Sequence, residues 1–417
     1  MLRRFLIQIV TLLAVVAESL SATAATVPDT TEVCVSARII DAATGEALPF
    51  ASIYINKEKN TISNAVGEFT LMASPADEIR ISYVGFHTKT FHADRLPKVV
   101  KLTSDGQQLN EVVVYSADHI ISQVYKHCLK SWKKHRKDMA NIFYRQITYT
   151  DSQCTTYLES FLASRTAFSL RSMQLLTGRF VAVASSLTTN PTNFYTFAQI
   201  EPFSTKKSFT FNDLIPPLSP NYLNYFVVEM ETIHNNGRRM YVIYFYPRND
   251  YYWTVNSRLY VDAETFDILK FEGETWNNKV VHSNKKKHDI CPVEHTFMVT
   301  YQLDNGFSEI QSVSYGTRYH HNDHTYETTG VMFNVGDRYV QRQDTKLQLP
   351  AKGTHGTLSD AMKRAFSGLS FDGNLLQEIQ QKGIDKTFWK ENEIVKRTPI
   401  EQKAVEIFEH DNLFGLF

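Results

Sequence analysis

The run RMYVIYFYP, residues 239–247, is the strongest single constraint on the fold. Alternation places Met240, Val242, Tyr244 and Tyr246 on one side of a strand and Tyr241, Ile243 and Phe245 on the other. A strand that is apolar on both sides has to be covered on both sides. The chain is therefore expected to build a sheet with a layer on each face, one cover being a helix and the other an apolar lumen. The preceding run NYFVVEMETI is joined to it through His234-Asn235-Asn236-Gly237, a tight hairpin signal. YYWTVNSRLYVD and FDILKFEGE flank Ala263-Glu264-Thr265, a second hairpin. HTFMVTYQL, FSEIQSVSYGTRYH and TYETTGVMFNV continue the meander. Aromatic residues make up 12% of the chain, with 27 Phe and 21 Tyr, a surplus that suits pleated surfaces.

Helices frame this sheet. From Asp118 to Lys137, Ile120, Ile121, Val124, Tyr125, Cys128 and Trp132 recur at helical spacing. The basic end of that segment, Lys133 to Lys137, matches cations at the negative end of a helix dipole. The C-terminal part reads as SDAMKRAFSGL, NLLQEIQQKG and a last helix opened by Thr398-Pro399-Ile400-Glu401, a capping box with Pro in the first turn. Ile400, Ala404, Ile407 and Phe408 are expected to form its apolar face, and Phe388 with Trp389 to anchor the turn before it.

Upstream, from Val33 to Tyr115, the strands are shorter. VCVSARIID, FASIYIN, GEFTLMA, EIRISYVGF, KVVKL and EVVVY are separated by turn signals such as Thr44-Gly45-Glu46 and Asn64 to Gly67. This rhythm predicts a small β-sandwich of about seven strands. The order GEALPFASIYI, TISNAVGEFTL, EIRISYVGF, closed by LNEVVVY, resembles the carboxypeptidase-regulatory-like domain. That resemblance implies a transthyretin-type sandwich without catalytic residues, of the kind that also precedes the plug of many outer-membrane transporters. The family often has Asp where Asn64 stands, and Asn serves the same turn. The remaining residues are too few for a transporter barrel. RLYVDAETFDILKFEGE resembles instead the central hairpin of periplasmic lipoprotein carriers, half-barrels that hold acyl chains.

The expected architecture is thus mainly β. A signal peptide is expected over 1–24, the sandwich over 25–116, and an α+β domain over 117–417 with an antiparallel meander shaped as an open half-barrel. The signal is read from Arg3-Arg4, the apolar run Phe5–Ala17 and Ala22-Thr23-Ala24. It implies an exported protein, periplasmic or peripheral to the outer membrane, with no transmembrane segment after cleavage. Formal net charge is zero, so no field steers nucleic acid. Cys34, Cys128, Cys154 and Cys291 leave bridges and buried thiols both open.

Catalytic signatures are sparse. His324-Thr325-Tyr326-Glu327 has the spacing of a zinc carboxypeptidase ligand pair, but residues three apart in a strand point to opposite faces. His320, His321 and His324 around Asn322-Asp323 are the candidate metal ligands, against the plainer reading of an exposed turn. Ser131–Lys134, Ser204–Lys207 and Ser283–Lys286 have S-x-x-K spacing without partner motifs. No catalytic residue and no cofactor is assigned. The expected function is a non-enzymatic envelope protein, the sandwich a binding or spacing module and the C-terminal region an interaction platform, with other envelope proteins as partners. A lipid or hydrophobic ligand is the alternative, and a metal-dependent hydrolase the third reading.

Overall fold

The computed structural model describes residues 32–56, 58–105, 116–182, 200–209, 214–248, 254–279, 292–304, 307–321, 324–336, 371–391 and 393–415. Outside them lie the expected signal peptide, the strand EVVVY, Lys285–His288, SDAMKRAFSGL, Cys291, Asn322-Asp323 and Phe417.

The N-terminal part is the expected two-layer sandwich. Strands β1 (Val33–Asp41), β4 (Glu68–Ala73) and β7 (Val99–Leu102) form one sheet in the order β4-β1-β7. Strands β2 (Ser52–Ile55), β3 (Glu58–Ile62), β5 (Glu78–Ser82) and β6 (Lys89–His92) form the other, ordered β3-β2-β5-β6. Ile39, Ile53, Phe69, Ile79, Ile81 and Leu102 fill the space between them and are fully buried. Gly67, at φ +78°, lies so close to the Ile39 carbonyl that a Cβ would meet it at 2.5 Å. Only glycine closes the turn there.

Helix α1 (Ala117–His135) then leads into the large sheet. Its strands are β8 (Met139–Thr150), β9 (Gln153–Arg165), β10 (Arg171–Ala182), β11 (Phe226–Asn235), β12 (Arg238–Pro247), β13 (Asn256–Asp262), β14 (Ile268–Lys279), β15 (Pro292–Asp304), β16 (Phe307–His321) and β17 (His324–Asn334). They pair antiparallel in the order β10-β9-β8-β17-β16-β15-β14-β13-β12-β11. The meander β11 to β17 thus turns back to pair its last strand with β8. Asn236 and Gly237 both take positive φ in the β11–β12 turn, as a right-twisted hairpin requires.

All ten strands contribute to one apolar cluster on the first face, which also takes in α1. Ile120, Ile121, Val124 and Cys128 of α1 are buried in it, at roughly 1.5–3 kcal/mol for each large aliphatic side chain. Ile200, Phe203, Ile215 and Leu218 fill the same face beside α1, the face expected to carry the helix. His135, counted in sequence among the basic residues ending α1, turns inward instead. Its ring stacks on Phe307 with centroids 3.8 Å apart, and Asp138 holds its Nδ1 at 2.8 Å.

The second face is covered by two different layers. Helix α2 (Phe371–Lys382) still belongs to the first face, where Leu375 and Ile379 join its cluster, whereas α3 (Lys386–Glu391) and α4 (Pro399–His410) lie on the second. Phe388, Trp389, Ile394 and Val395 pack on Phe143, Phe161 and Phe333 of this face, and α4 packs on Ile147, Tyr157 and Val181. Further along, the sandwich docks. Asn236 at the tip of the β11–β12 hairpin accepts from the Thr88 amide at 2.9 Å and donates to the Phe86 carbonyl at 3.1 Å. The Thr61 hydroxyl donates to the Ile394 carbonyl at 2.7 Å, and Lys396 meets Glu68 at 2.9 Å. Cover is therefore partial on β12. Met240 and Val242 are buried near the docked tip, whereas Tyr246 at the far end is exposed, contrary to the expectation of cover along the whole strand.

One row of charge crosses this face. Arg145, Glu159 and Arg179 are register partners on β8, β9 and β10. Glu159, 1% exposed, receives Arg145 Nε at 2.8 Å and Arg179 Nη2 at 2.7 Å, with Arg397 Nη2 at 3.5 Å. Burial alone would raise the Glu159 pKa. The guanidiniums of Arg397, Arg145 and Arg179 outweigh it and hold the carboxyl well below the usual carboxylate range. The cluster also sets the roll of α4. The expected capping box is present, and its Glu401 faces Arg145 at 3.5 Å while Glu409 reaches Arg179 at 2.8 Å. Glu401, Ala404, Val405, Phe408 and Glu409 therefore share the inward face. Ile400 and Ile407, expected inside, are 64% and 49% exposed. Among the described residues no helix is long and apolar enough to cross a membrane.

Replacing Glu159 with Gln leaves buried guanidiniums without their counter-charge. Denaturant unfolding of Glu159→Gln is expected to show a loss of roughly 3–5 kcal/mol. Because the folded pKa is depressed, the wild-type contribution is complete above about pH 4.3 and is lost as pH falls towards the folded value. An acid-unfolding midpoint that the substitution leaves unmoved would contradict this.

Candidate functional site

Where the sandwich spans the large sheet, its contact with it is incomplete. On the second face, β15, β16 and β17 present Thr296, Ser314, Gly316 and Thr329 in adjacent positions. These short side chains leave a hollow where Phe143, Phe161 and Phe333, nearer the C-terminal helices, leave none. The hollow is a cavity of about 310 Å³. Phe50, Asn64 and Ala65 of the sandwich roof it, and Arg145, Val395 and Glu401 close one side. Met298, Val331 and Ile147 add apolar wall. Three parts of the chain, distant in sequence, thus line one space, which stays open to solvent where Ala65, Thr296 and Thr329 are exposed.

A second chamber of about 140 Å³ adjoins it, sharing Phe50 and Met298. Ser52, Tyr83, Lys270, Thr300 and Gln311 line this part. Gln311 Nε2 donates to Ser52 Oγ, a direct bond between sheet and sandwich. Lys270 Nζ pairs with Glu272 at 2.6 Å and lies 5.6 Å from the Tyr83 ring centre. Burial, and then Glu272, push the Tyr83 phenol up to about 12, so it stays a neutral donor at physiological pH.

Phe50 stands between the chambers in a conformation unusual for a bulky residue, φ +60°. Ser63 holds it there. The Phe50 amide donates to the Ser63 carbonyl at 3.1 Å, and Ser63 Oγ accepts from Ala51 N and donates to the Leu48 carbonyl, both at 2.9 Å. Strain of this kind persists only where neighbours over-determine it, and it concentrates at ligand clamps.

At the charged side, Arg145 is fully engaged. It donates to Glu159 and to the Val395 carbonyl, each at 2.8 Å, and faces Glu401. It is the one cation, and Glu401 the one anion, among the described lining residues of the larger chamber. The wall can therefore orient a polar group but offers no surplus charge.

No curated protein matches the chain. Residues 35–114 match the CarboxypepD_reg-like domain family, in agreement with the resemblance read from Val33 to Tyr115. Among solved structures, similarity is found to a LolA superfamily protein from Nitrosomonas europaea at 10% identity, covering 53% of this chain and 94% of that one with a TM-score of 0.22. A domain described as an outer membrane lipoprotein-sorting protein, from Vibrio parahaemolyticus, is also 10% identical, with coverage of 54% and 100% and a TM-score of 0.20. A membrane-associated protein of unknown function from Bacteroides fragilis is 10% identical over 73% of this chain and 97% of its own, with a TM-score of 0.15.

The residues singled out in sequence lie elsewhere. His320 pairs in register with Thr325 and His321 with His324, so His320 and His324 sit on opposite faces of the β16–β17 hairpin. The His320 ring meets the Thr325 hydroxyl at 2.9 Å, and the His324 ring meets Asp151 at 2.5 Å. Glu327, on the face opposite His324, pairs with Arg318 at 3.3 Å. Among the described residues no group of three or more His, Cys, Asp or Glu is placed to hold a metal ion. Cys34, Cys128 and Cys154 are free thiols. The sequence reading missed the cleft residues themselves. A signal for its charged side existed: Arg145 between Phe143 and Ile147, Glu159 between Tyr157 and Phe161, and Arg179 before Val181 are charges at inward positions of strand patterns.

His295 is buried beside the Thr317 hydroxyl at 3.2 Å. Burial lowers its pKa to about 4. The unfolded chain then binds a proton that the folded one refuses, so this contribution is complete above pH 6.5 and falls towards pH 4. The expected slope is about 1.4 kcal/mol per pH unit in that window. His295→Gln should flatten it in denaturant titrations, and an unchanged slope would refute the assignment.

Proposed function

We propose that the chain is a non-enzymatic binding protein of the cell envelope, exported to the periplasm or the periplasmic side of the outer membrane. In this reading the sandwich (25–116) is a docked lid rather than a loose spacer. The α+β part (117–417) supplies the floor and one wall, and the cleft between them takes a small ligand with an apolar body. The observation that carries it is the cleft of about 310 Å³ lined jointly by sandwich, sheet and C-terminal segment. That volume lies at the lower end of small-molecule sites, about 300–1,000 Å³, and its lining has their usual makeup of apolar walls with a few convergent polar groups. Phe50, held at positive φ between the two chambers, supports the same reading. The second role, as a platform for other envelope proteins, is favoured by the exposed pair Ile400 and Ile407 on one side of α4.

The binding reading is tested by native mass spectrometry of the chain purified from its exporting host without detergent, beside Ser314→Leu. Leucine at position 314 fills the hollow with apolar atoms. The expected outcome is extra mass on the wild type, none on the variant, and unchanged or higher thermal stability of the variant. Equal extra mass on both would place the ligand elsewhere, and a bare mass on both would overturn the reading.

A further inference from the structure

Asn64 roofs the cavity and is 3% exposed. Its Oδ1 accepts from the Val66 amide at 3.0 Å and the Glu68 amide at 2.9 Å. Both partners are N–H donors, so the amide cannot be flipped: the oxygen belongs to the turn. The nitrogen, Nδ2, is buried and has no hydrogen-bond partner among the described residues. A buried donor left unsatisfied is costly and calls for an explanation. Here the atom fixed in place by the turn belongs to a residue that lines a hollow.

Resting on the binding reading above, we infer that Asn64 is the recognition donor of the cleft, and that its ligand is a neutral amphiphile carrying a carbonyl oxygen beside a short apolar chain. The carbonyl accepts from Nδ2. The chain lies against Phe50, Met298, Val331 and Val395. Charge decides against a free carboxylate. Arg145 already faces two carboxylates, Glu159 and Glu401, and Glu401 itself lines the cavity. A carboxylate guest would meet Glu401 and find no unpaired cation among the lining residues. An ester or amide carbonyl satisfies the donor with no charge to bury. The residue type matters for the same reason. Aspartate would keep both turn bonds through one oxygen but would present an acceptor, not a donor, to the cavity.

The experiment compares wild type with Asn64→Asp by calorimetric titration below the micelle limit. The probes are a medium-chain monoacylglycerol, the matching alkyl glyceryl ether, which lacks the carbonyl, and the matching fatty-acid carboxylate. Wild type is expected to bind the ester more tightly than the ether or the carboxylate. Asn64→Asp should weaken the ester by roughly tenfold or more, the equivalent of one hydrogen bond, and leave the ether unchanged. An unchanged thermal midpoint shows that the turn is intact, and the ester-to-ether comparison on wild type needs no variant. Equal ester affinity in both proteins, or a preference of wild type for the carboxylate, would overturn the assignment of Asn64 while leaving a binding cleft. Failure of every probe on wild type, together with a bare native mass, would remove the cleft's role altogether.

Discussion

Glu159 sits at the centre of β9 with Arg145 on one flanking strand and Arg179 on the other, and Arg397 comes to it from the C-terminal segment. Buried ions are expensive, and a carboxylate surrounded this way is tolerable only because every partner is in place. The arrangement joins three strands of the sheet to a segment more than two hundred residues later. Through Glu401 and Glu409 it also fixes which side of α4 faces inward. Removing any member strands the others, so the cluster acts as a register lock as much as a source of stability.

The cleft is a consequence of that lock. With the C-terminal segment held on β8 to β10, Val395 and Glu401 reach the edge of the space over β15 to β17. The sandwich reaches the same space from the other side, pinned at the Asn236 hairpin tip, at Gln311 and at Ile394. Neither cover extends across Thr296, Ser314, Gly316 and Thr329, and the short side chains there do not fill the gap. The sandwich thus contributes Phe50 and Asn64 to one side of a space it could not build alone.

Much of the fold was legible in the sequence because its causes are local. The capping box at Thr398 and Glu401 is satisfied within four residues, and the Asn236-Gly237 turn needs only positive φ at two positions. Alternation in β12 and helical spacing in α1 identified those elements correctly. On α4, Ala404 and Phe408 turn inward as expected, whereas Val405 takes the inward place expected of Ile400 and Ile407. What turned the helix was a pair of ion contacts to partners on β8 and β10, invisible to a count of apolar spacing.

The amino-acid sequence by itself determined the sandwich, the antiparallel meander, the leading helix and the capped last helix. Each follows from patterns of a few residues acting through backbone geometry. Tertiary structure alone decided the site. Thr296, Ser314, Gly316 and Thr329 read as ordinary polar strand positions until register puts them side by side, and Asn64 reads as a turn residue until a second layer roofs a cavity with it. Its amide oxygen is committed locally, whereas the fate of its amide nitrogen depends on strands more than two hundred residues away, brought there by contacts that no local pattern encodes.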